Sequence, residues 1–361
     1  MRRLGLSLYP EHSTLAEDKK YLDTASKLGY SRIFASLLEL GDDKDKTINR
    51  FKETIAYGNK LGFVTIVDMN PRLFKALDIS YDDLSFFHEL GAFGIRLDEG
   101  FSGMEEAKMT RNPYGLKIEI NMSSGTHYLD NILSYHPNKD NLLGCHNFYP
   151  QRYTGLGEDF FIKWSNFFKE RNIHSAAFVS SHNATFGPWP VQDGLPTLED
   201  DRDLPISTQV KHLLLSGVVD DVIIGNTYAS DEELKEAADA FYAPVPVLKV
   251  DLSSDITDLE KEVILKSTHV YRGDASDYLL RSTMTRVVYK DGNFPAHDTQ
   301  DIKRGDIIIV NENYGQYKGE TQIALRDIKN DGRRNIVGHL NSNEAFLLSY
   351  IKPWSSFKLA E

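Results

Sequence analysis

The stretch Gly94-Ile95-Arg96-Leu97-Asp98-Glu99-Gly100-Phe101 is the starting point for predicting how this chain folds. In an extended segment Ile95 and Leu97 fall on one face while Arg96 and Asp98 fall on the other, which is the alternation of a half-buried β-strand. Two successive carboxylates then run into Gly100, where the chain must turn. The stretch therefore predicts a strand that aims charged side chains at a shared interior near its carboxyl end.

A second strand of the same kind follows in residues 117–123, KIEINMS. Its apolar residues alternate with Lys117, Glu119 and Asn121. Neighbouring strands that aim charges at one interior are uncommon in a protein core, because unpaired buried charge is costly. A (β/α)8 barrel resolves this conflict, since it places such residues at the carboxyl-terminal mouth where barrel enzymes carry out their chemistry.

Strand-like segments alternate with helical ones through the first two thirds of the chain. Besides the two strands above, the pattern predicts strands at 4–10, 32–37, 63–70, 142–150, 175–181 and 219–227. Apolar spacing and terminal glycines predict helices at 14–28, 45–61, 82–90, 104–111, 158–171, 204–216 and 231–241. Eight such repeats make one α/β (β/α)8 TIM barrel, which we expect over residues 1–243. A doubly wound open sheet is the alternative, disfavoured because no glycine-rich phosphate loop follows the first strand.

The pattern changes at Pro244 and Pro246, which are typical of a linker. Helical spacing then becomes rare, and short apolar runs separated by turn residues replace it. They predict strands at 247–252, 269–271, 286–289, 306–310, 322–325 and 346–351. Residues 244–361 are therefore expected to form a second, small β-rich domain.

Composition limits the partners and the compartment. The apolar and charged fractions, 41% and 26% of 361 residues, are those of an ordinary globular protein. A formal charge of −12 argues against nucleic acid or an anionic membrane as a partner. The single cysteine, Cys145, excludes an intramolecular disulfide, and no apolar run resembles a signal peptide or a membrane span. We expect a cytoplasmic protein and leave its oligomeric state open, a homo-oligomer included.

Asp98 and Glu119 are the predicted catalytic pair. On adjacent parallel strands their backbones are about 4.8 Å apart. Two carboxylates at that spacing repel each other, so the pKa of one rises while the other stays ionised. That division supplies the proton donor and the anion that cleavage of a glycosidic bond requires. The alternative is an ion-pair lattice, Arg96 with Asp98 or Lys117 with Glu119, which only fills the barrel interior.

Further polar and aromatic residues stand near the predicted carboxyl ends of strands, where they are candidate substrate ligands. The polar ones are Tyr9, Asp68, Arg96, Asn121, His146, Asn147 and Asn226. The aromatic rings of Phe148, Tyr149, Trp189 and Tyr228 can stack on a sugar, and the alternative for each is a place in the core or in a lid.

Two arginines in the second domain, Arg272 and Arg281, are candidates for an anion site, because the guanidinium fork suits phosphate. The alternative is that they pair with Asp274 and Asp277.

A metal site would need His146 and His182, with Asp68 or Glu119 as companions. Neither histidine belongs to a spaced ligand motif, so we predict no metal and no other cofactor.

Seven segments of the chain resemble one enzyme family nearly from end to end. They are GLSLYP (5–10), IRLDEGFSG (95–103), KIEINMSSG (117–125), CHNFYPQRYTGL (145–156), DGLPTLEDDR (193–202), HVYRGDASDYLLRST (269–283) and IKPWSSF (351–357). The sequence is similar to the MupG-type 6-phospho-N-acetylmuramidases, described as a TIM barrel followed by a cyclophilin-like β domain. The resemblance implies an intracellular glycosidase that acts on N-acetylmuramic acid 6-phosphate linked to N-acetylglucosamine, a phosphorylated disaccharide of cell-wall turnover.

The resemblance also extends the set of candidate residues. Segment 146–155 is expected to line the sugar site, with Asn147 and Tyr149 positioning the sugar. Arg152, together with Arg272 or Arg281, is expected to hold the phosphate or the lactyl carboxylate. Asp193 stands where the family is expected to have a glutamate, so its reach is one carbon shorter.

Two other function classes stay open at this point. One is a metal-dependent sugar-phosphate isomerase or aldolase that uses His146, His182 and Asp68. The other is a non-enzymatic sugar-phosphate-binding protein.

Overall fold

Eight parallel strands close into a barrel in the first part of the chain. The computed structural model describes residues 2–37, 43–188 and 193–361, and Trp189 lies outside them. Each strand pairs with the next, and the last pairs with the first through Leu4 and Val222. The strands are β1 (Leu4–Leu8), β2 (Arg32–Ser36), β3 (Val64–Met69), β4 (Gly94–Leu97), β5 (Lys117–Asn121), β6 (Leu142–Cys145), β7 (His174–Val179) and β8 (Asp221–Ile224).

Helices follow the strands and cover the outside of the barrel. They are α1 (Leu15–Lys27), α2 (Lys44–Lys60), α3 (Pro71–Ala76), α4 (Ser85–Leu90), α5 (Met104–Met109), α6 (Tyr128–Ser134), α7 (Glu158–Lys169), α8 (Ile206–Ser216) and α9 (Asp231–Tyr242). The predicted barrel is confirmed, although the predictions omitted α3 and α6. The start of α3 carries a signal, because Asn70 caps the helix through the Leu73 amide and Pro71 occupies its first turn.

Alternation along each strand separates the two faces of the barrel wall. Leu4, Leu6 and Leu8 are buried in the large core cluster between strands and helices. The intervening residues point inward, where Phe34, Cys145 and Phe178 belong to a smaller apolar cluster. This apolar cluster fills the part of the interior that is lined by β2, β6, β7 and β8.

The second unit is built on one mixed sheet. The chain divides into two compact units, Met1–Phe241 and Tyr242–Glu361. The strands are β9 (Val247–Leu252), β10 (His269–Val270), β11 (Leu279–Ser282), β12 (Asp306–Val310), β13 (Thr321–Ala324), β14 (Arg334–Leu340) and β15 (Ser356–Ala360), in the spatial order β10-β15-β9-β14-β12-β13-β11. Among the described residues, β15 and β9 pair in parallel, and the other neighbouring strands of this sheet pair antiparallel.

Two strand predictions in this unit are wrong. Residues 286–289 fall on the helix α11 (Met284–Val288), and residues 346–351 fall on a 3-10 helix, Ala345–Tyr350. Short apolar runs do not distinguish a strand from a single helical turn, so length and flanking residues must decide. A helix not predicted, α10 (Asp258–Lys266), begins at a capping box between Thr257 and Glu260.

Candidate active site

Arg96 on β4 gathers three polar side chains at the carboxyl ends of the barrel strands. Its Nη1 donates to Asp68 Oδ1 at 2.6 Å and to Asp98 Oδ1 at 3.1 Å. Its Nη2 donates to the side-chain oxygen of Asn147. We call these four residues the Arg96 cluster. They come from β3, β4 and the segments after β4 and β6, so the closed barrel brings together residues distant in sequence.

The two carboxylates of the cluster differ in their exposure. The Asp68 side chain is 3% exposed, whereas that of Asp98 is 39% exposed. Burial raises the pKa of Asp68 to about 7, against the opposing charge of Arg96 and with a smaller contribution from the charge of Asp98. Asp68 is therefore partly protonated near neutral pH, and it shares one hydrogen-bond donor with an exposed carboxylate.

Asn147 is held by a second set of polar groups behind the cluster. Its backbone amide donates to Ser123 Oγ at 2.9 Å. Ser123 Oγ lies 3.1 Å from Nδ1 of His146, and the other ring nitrogen lies 2.8 Å from Ser165 Oγ on α7. Burial, with a smaller contribution from the charge of Arg96, lowers the pKa of His146 to about 3, so the ring is neutral. The structure therefore places His146 between β6 and α7, outside the barrel interior, where it supports Ser123 and has no exposed surface.

Asn121 and Tyr149 lie beside Asp98. Asn121 Nδ2 is 3.3 Å from the backbone oxygen of Asp98. Burial raises the pKa of Tyr149, whose phenol also interacts with Ser123 and with the charges of Arg96 and Asp98. Of the predicted ligands, Asn121 thus contacts the backbone of Asp98, Asn147 shares Arg96 with Asp98, and Tyr149 is close enough to Asp98 to interact with its charge.

Tyr9 is buried beside the same mouth. Its hydroxyl donates to the backbone oxygen of Gly225, at the end of β8, at 2.5 Å. Burial raises the pKa of this phenol. The hydrogen bond joins the segments that follow β1 and β8, which indicates that Tyr9 closes the barrel at this seam.

Glu119 does not lie beside Asp98. The strand register pairs Glu119 with Arg96, whereas Asp98 follows the end of β4, two residues beyond that partner. The Glu119 carboxylate is fully buried, and Arg32 Nη2 donates to it at 2.5 Å. Arg32 also donates to Asp221 at 2.8 Å. Arg32 is the first residue of β2, and Asp221 is the first residue of β8. The side-by-side carboxylates expected from the sequence are not formed, because the register offsets them and Arg32 binds Glu119.

A separate pocket of about 350 Å³ follows β7 and β8. It contains three predicted ligands, Arg152, Asp193 and Asn226, together with His182 and Asp203. Arg152 makes a two-pronged ion pair with Asp203, at 2.6 and 3.0 Å. Asn226 is buried, and its side chain exchanges two 2.8 Å hydrogen bonds with the backbone of Ser181. Asp193 is exposed, and we call this site the Arg152 pocket.

Both arginines that the sequence predicted as anion ligands in the second unit pair with carboxylates. Arg272 pairs with Asp274, as the alternative interpretation of the sequence predicted. Arg281 donates to both oxygens of the buried Glu320, at 2.7 and 3.1 Å, and not to Asp277. The Nε and Nη2 donors of Arg281 are therefore already bonded within the sheet.

The two histidines of the metal interpretation belong to different places. His146 lies between two serines, and His182 Nε2 is 3.2 Å from the backbone oxygen of Arg202. Within residues 2–37, 43–188 and 193–361 no group of three or more His, Cys, Asp or Glu side chains is arranged to hold a metal ion.

The sequence reasoning missed Arg32, Ser123 and Asp221. Arg32 has a signal, because it shares the inward parity of Phe34 and Ser36 on β2. Ser123 lies at the end of the second quoted strand, but its role depends on the position of Asn147, which sequence does not provide.

A closed parallel barrel with carboxylates and a guanidinium at the carboxyl ends of its strands is the architecture of a (β/α)8-barrel enzyme. The chain belongs to the 6-phospho-N-acetylmuramidase family. The family's N-terminal part matches residues 4–239, and its C-terminal part matches residues 246–360. It is therefore a glycosidase, as the resemblance of the sequence segments implied.

Two solved structures are similar over the whole chain. An uncharacterized B. cereus protein is 48% identical, covering 100% of this chain and 99% of that one, with a TM-score of 0.92. A conserved Enterococcus faecalis protein of unknown function is 26% identical, covering 99% and 96%, with a TM-score of 0.77. A search of curated proteins finds no match. No described helix has the length and apolar character needed to cross a membrane.

Proposed function

We propose that this chain hydrolyses the bond between N-acetylmuramic acid 6-phosphate and N-acetylglucosamine in disaccharides from peptidoglycan turnover, in the cytoplasm. The family supports the reaction type and the phosphorylated muramyl group. The absence of a cysteine pair in the sequence is consistent with a reducing compartment.

We assign the chemistry to Asp68 and Asp98. One observation carries this assignment: both carboxylates accept from the same Nη1 of Arg96, while only Asp98 is well exposed. Two carboxyl groups whose environments separate their pKa values are the arrangement that divides acid and base roles in an enzyme. Asp68, with its pKa raised to about 7, is the proton donor, and Asp98 is the anion.

In this mechanism Asp68 protonates the glycosidic oxygen as the bond to the muramyl ring breaks. Asp98 faces the positive charge that develops on the ring, and Arg96 holds both groups in place. Asn121 and Tyr149 lie beside Asp98 and orient the sugar. Glu119 is left out of the reaction, because its burial and its bond to Arg32 support a structural role.

We assign the 6-phosphate to the Arg152 pocket. Loops that follow strands seven and eight commonly bind phosphate in (β/α)8 barrels. The pocket is lined there by Ser181, His182 and Asn226, and Arg152 is its exposed cation. Phosphate would replace Asp203 as the partner of the guanidinium, which matches the two-pronged geometry that arginine already adopts.

The experiment compares the phosphorylated and the unphosphorylated muramyl disaccharide as substrates, with products identified by mass. We expect cleavage of the phosphorylated compound and a large loss of kcat/KM for the other. Arg152→Gln should reduce this discrimination, whereas Arg111→Gln, an exposed arginine on another loop, should preserve it. Equal cleavage of both compounds by the wild-type protein would contradict the proposed substrate.

A further inference from the structure

The C-terminal unit contains a cavity to which the proposed mechanism assigns no role. Its volume is about 430 Å³, within the range of roughly 300–1,000 Å³ that small-molecule sites occupy. It is lined by Val270, Arg272, Gly273, Asp274, Thr283, Met284 and Trp354. We call it the Trp354 pocket. All of these residues except Met284 come from the segments 269–283 and 351–357, whose sequence pattern the barrel chemistry leaves unexplained.

Trp354 presents a large aromatic surface to this cavity. The residue is 74% exposed, which is unusual for a tryptophan. Its backbone is left-handed, with φ of 69°, a conformation that is rare for a bulky residue. A 2.7 Å hydrogen bond from its amide to the backbone oxygen of Tyr271 holds that conformation. Strained backbone that the surrounding structure enforces is found at ligand clamps, which is how we interpret it here.

The indole lies directly against Gly273. A Cβ at this position would be 2.2 Å from Cε2 of Trp354 and 2.3 Å from its Nε1. Only glycine therefore lets the ring pack on the backbone there. The arrangement covers one side of the indole and leaves the rest available to a ligand.

The polar side of the pocket consists of Arg272, Asp274 and Thr283. Arg272 donates through Nε to Asp274, and among the described residues no acceptor binds its Nη groups. Thr283 Oγ1 is buried and has no hydrogen-bond partner in the described part of the chain. A guanidinium with free donors favours a carboxylate or a phosphate, and an unpartnered buried hydroxyl favours a ligand that completes its hydrogen bonding.

We propose that the Trp354 pocket binds an amino sugar that carries an acidic group. The sugar ring stacks on the indole, and its carboxylate or phosphate binds the Nη groups of Arg272. N-acetylmuramic acid 6-phosphate, the product of the proposed reaction, has both groups. The choice of this sugar rests on the proposed function, whereas the inference that the pocket binds a ligand rests on its geometry alone.

Fluorine NMR of the full chain labelled with 5-fluorotryptophan tests the proposal. The chain has three tryptophans, and Trp354→Phe identifies the resonance of Trp354. We expect a saturable shift of that resonance with N-acetylmuramic acid 6-phosphate. N-acetylmuramic acid and N-acetylglucosamine 6-phosphate, titrated separately, show which anion binds. Neutral N-acetylglucosamine should bind about tenfold more weakly than the better acidic sugar, because it lacks a charge-assisted hydrogen bond.

Two substitutions make the test specific. Arg272→Gln should weaken binding of the acidic sugars by about tenfold. Arg333→Gln is the matched control, because Arg333 is also exposed and pairs with an aspartate two residues away. Gly273→Ala should displace the indole and abolish the shift.

The outcomes separate this inference from the barrel mechanism. Asp98→Asn should lose turnover yet keep the Trp354 shift. A Trp354 resonance that no acidic sugar moves would overturn the inference, and so would equal affinities of the wild-type and Arg272→Gln proteins. Loss of turnover cannot produce either result, since the resonance reports binding at the indole.

Discussion

Arg96 joins two aspartates of very different exposure, and this difference sets their expected roles. Asp98→Asn should lower kcat by several orders of magnitude, because the variant loses the exposed anion but keeps the size of the side chain. Its free energy of unfolding should change by only about 1 kcal/mol, since the Asp98 carboxylate is partly exposed to solvent and Arg96 keeps its ion pair with Asp68. Steady-state kinetics and urea unfolding measure the two quantities. Asp82→Asn, which removes an exposed aspartate bound to Lys108, is the control and should leave kcat unchanged.

Asp68 predicts the pH dependence of the reaction. Its pKa of about 7 lies above the value of 3.8 for a free aspartate, so the proton is present below about 7 and is lost as pH rises through it. A proton donor with this pKa should make kcat fall on the alkaline side of neutrality. The measurement is the pH profile of kcat with saturating substrate. A kcat that stays constant as pH rises through 7 would exclude Asp68 as the donor.

Substitution of Glu119 is expected to affect stability, in contrast to substitution of Asp98, which is expected to affect turnover. The sequence interpretation predicts that Glu119→Gln loses turnover with no change in folding. The structure predicts a loss of about 3–5 kcal/mol in the free energy of unfolding, because the substitution leaves the buried Arg32 with one carboxylate in place of two. Urea unfolding of the variant at neutral pH checks this. A fully stable but inactive variant would return Glu119 to the catalytic pair.

At the scale of elements, β4 depends on close contact with its neighbours. A Cβ on Gly94 would be 2.5 Å from the backbone oxygen of Lys117 and 2.9 Å from Ile66, so a side chain must push β5 or β3 away. Gly94→Ala is expected to cost about 1–3 kcal/mol of unfolding free energy. Because β4 carries Arg96 and leads into Asp98, kcat should fall as well.

Gly157 is the control for this prediction. Apart from its chain neighbours, no described residue has an atom within 4 Å of the position where its Cβ would be, and Gly157 precedes α7 with an extended backbone. Gly157→Ser should therefore be neutral or stabilising, since serine is favoured at a helix N-cap. A Gly94→Ala variant as stable as the wild-type protein would contradict the prediction, because it would show that β3 and β5 move away from β4 at little cost.

Sequence alternation was sufficient to identify the faces of the strands but not their register. Arg96 and Asp98 point into the barrel as predicted, and so does Glu119. What alternation does not contain is the offset between β4 and β5, because register is determined by pairing and packing along the whole sheet. His146 shows a second limit. Its position at the end of β6 suggested the mouth, yet its parity places it with Leu142 and Gly144 on the outer face.

At the scale of the whole chain, overall charge and local charge give different information. The formal charge of −12 disfavours polyanions, while the family acts on a phosphorylated sugar. Recognition must therefore come from individual cations. In the barrel the cation that we propose for this role is Arg152, which binds one exposed aspartate, whereas two carboxylates already bind Arg96. Such partners keep each arginine oriented before the substrate arrives.

The division of the chain predicts that each unit folds alone. One core cluster draws its described residues from positions 4–241, and another lies within 279–336. Fragments cut after Ala243 would leave α9 complete and every strand with its partners. We expect both fragments, 1–243 and 244–361, to show cooperative urea unfolding and native near-ultraviolet circular dichroism. Because the Arg96 cluster and the Arg152 pocket lie in the first fragment, it should retain measurable cleavage of the phosphorylated disaccharide. A first fragment that folds but is inactive would show that the second unit contributes to catalysis, and one that does not fold would refute the boundary.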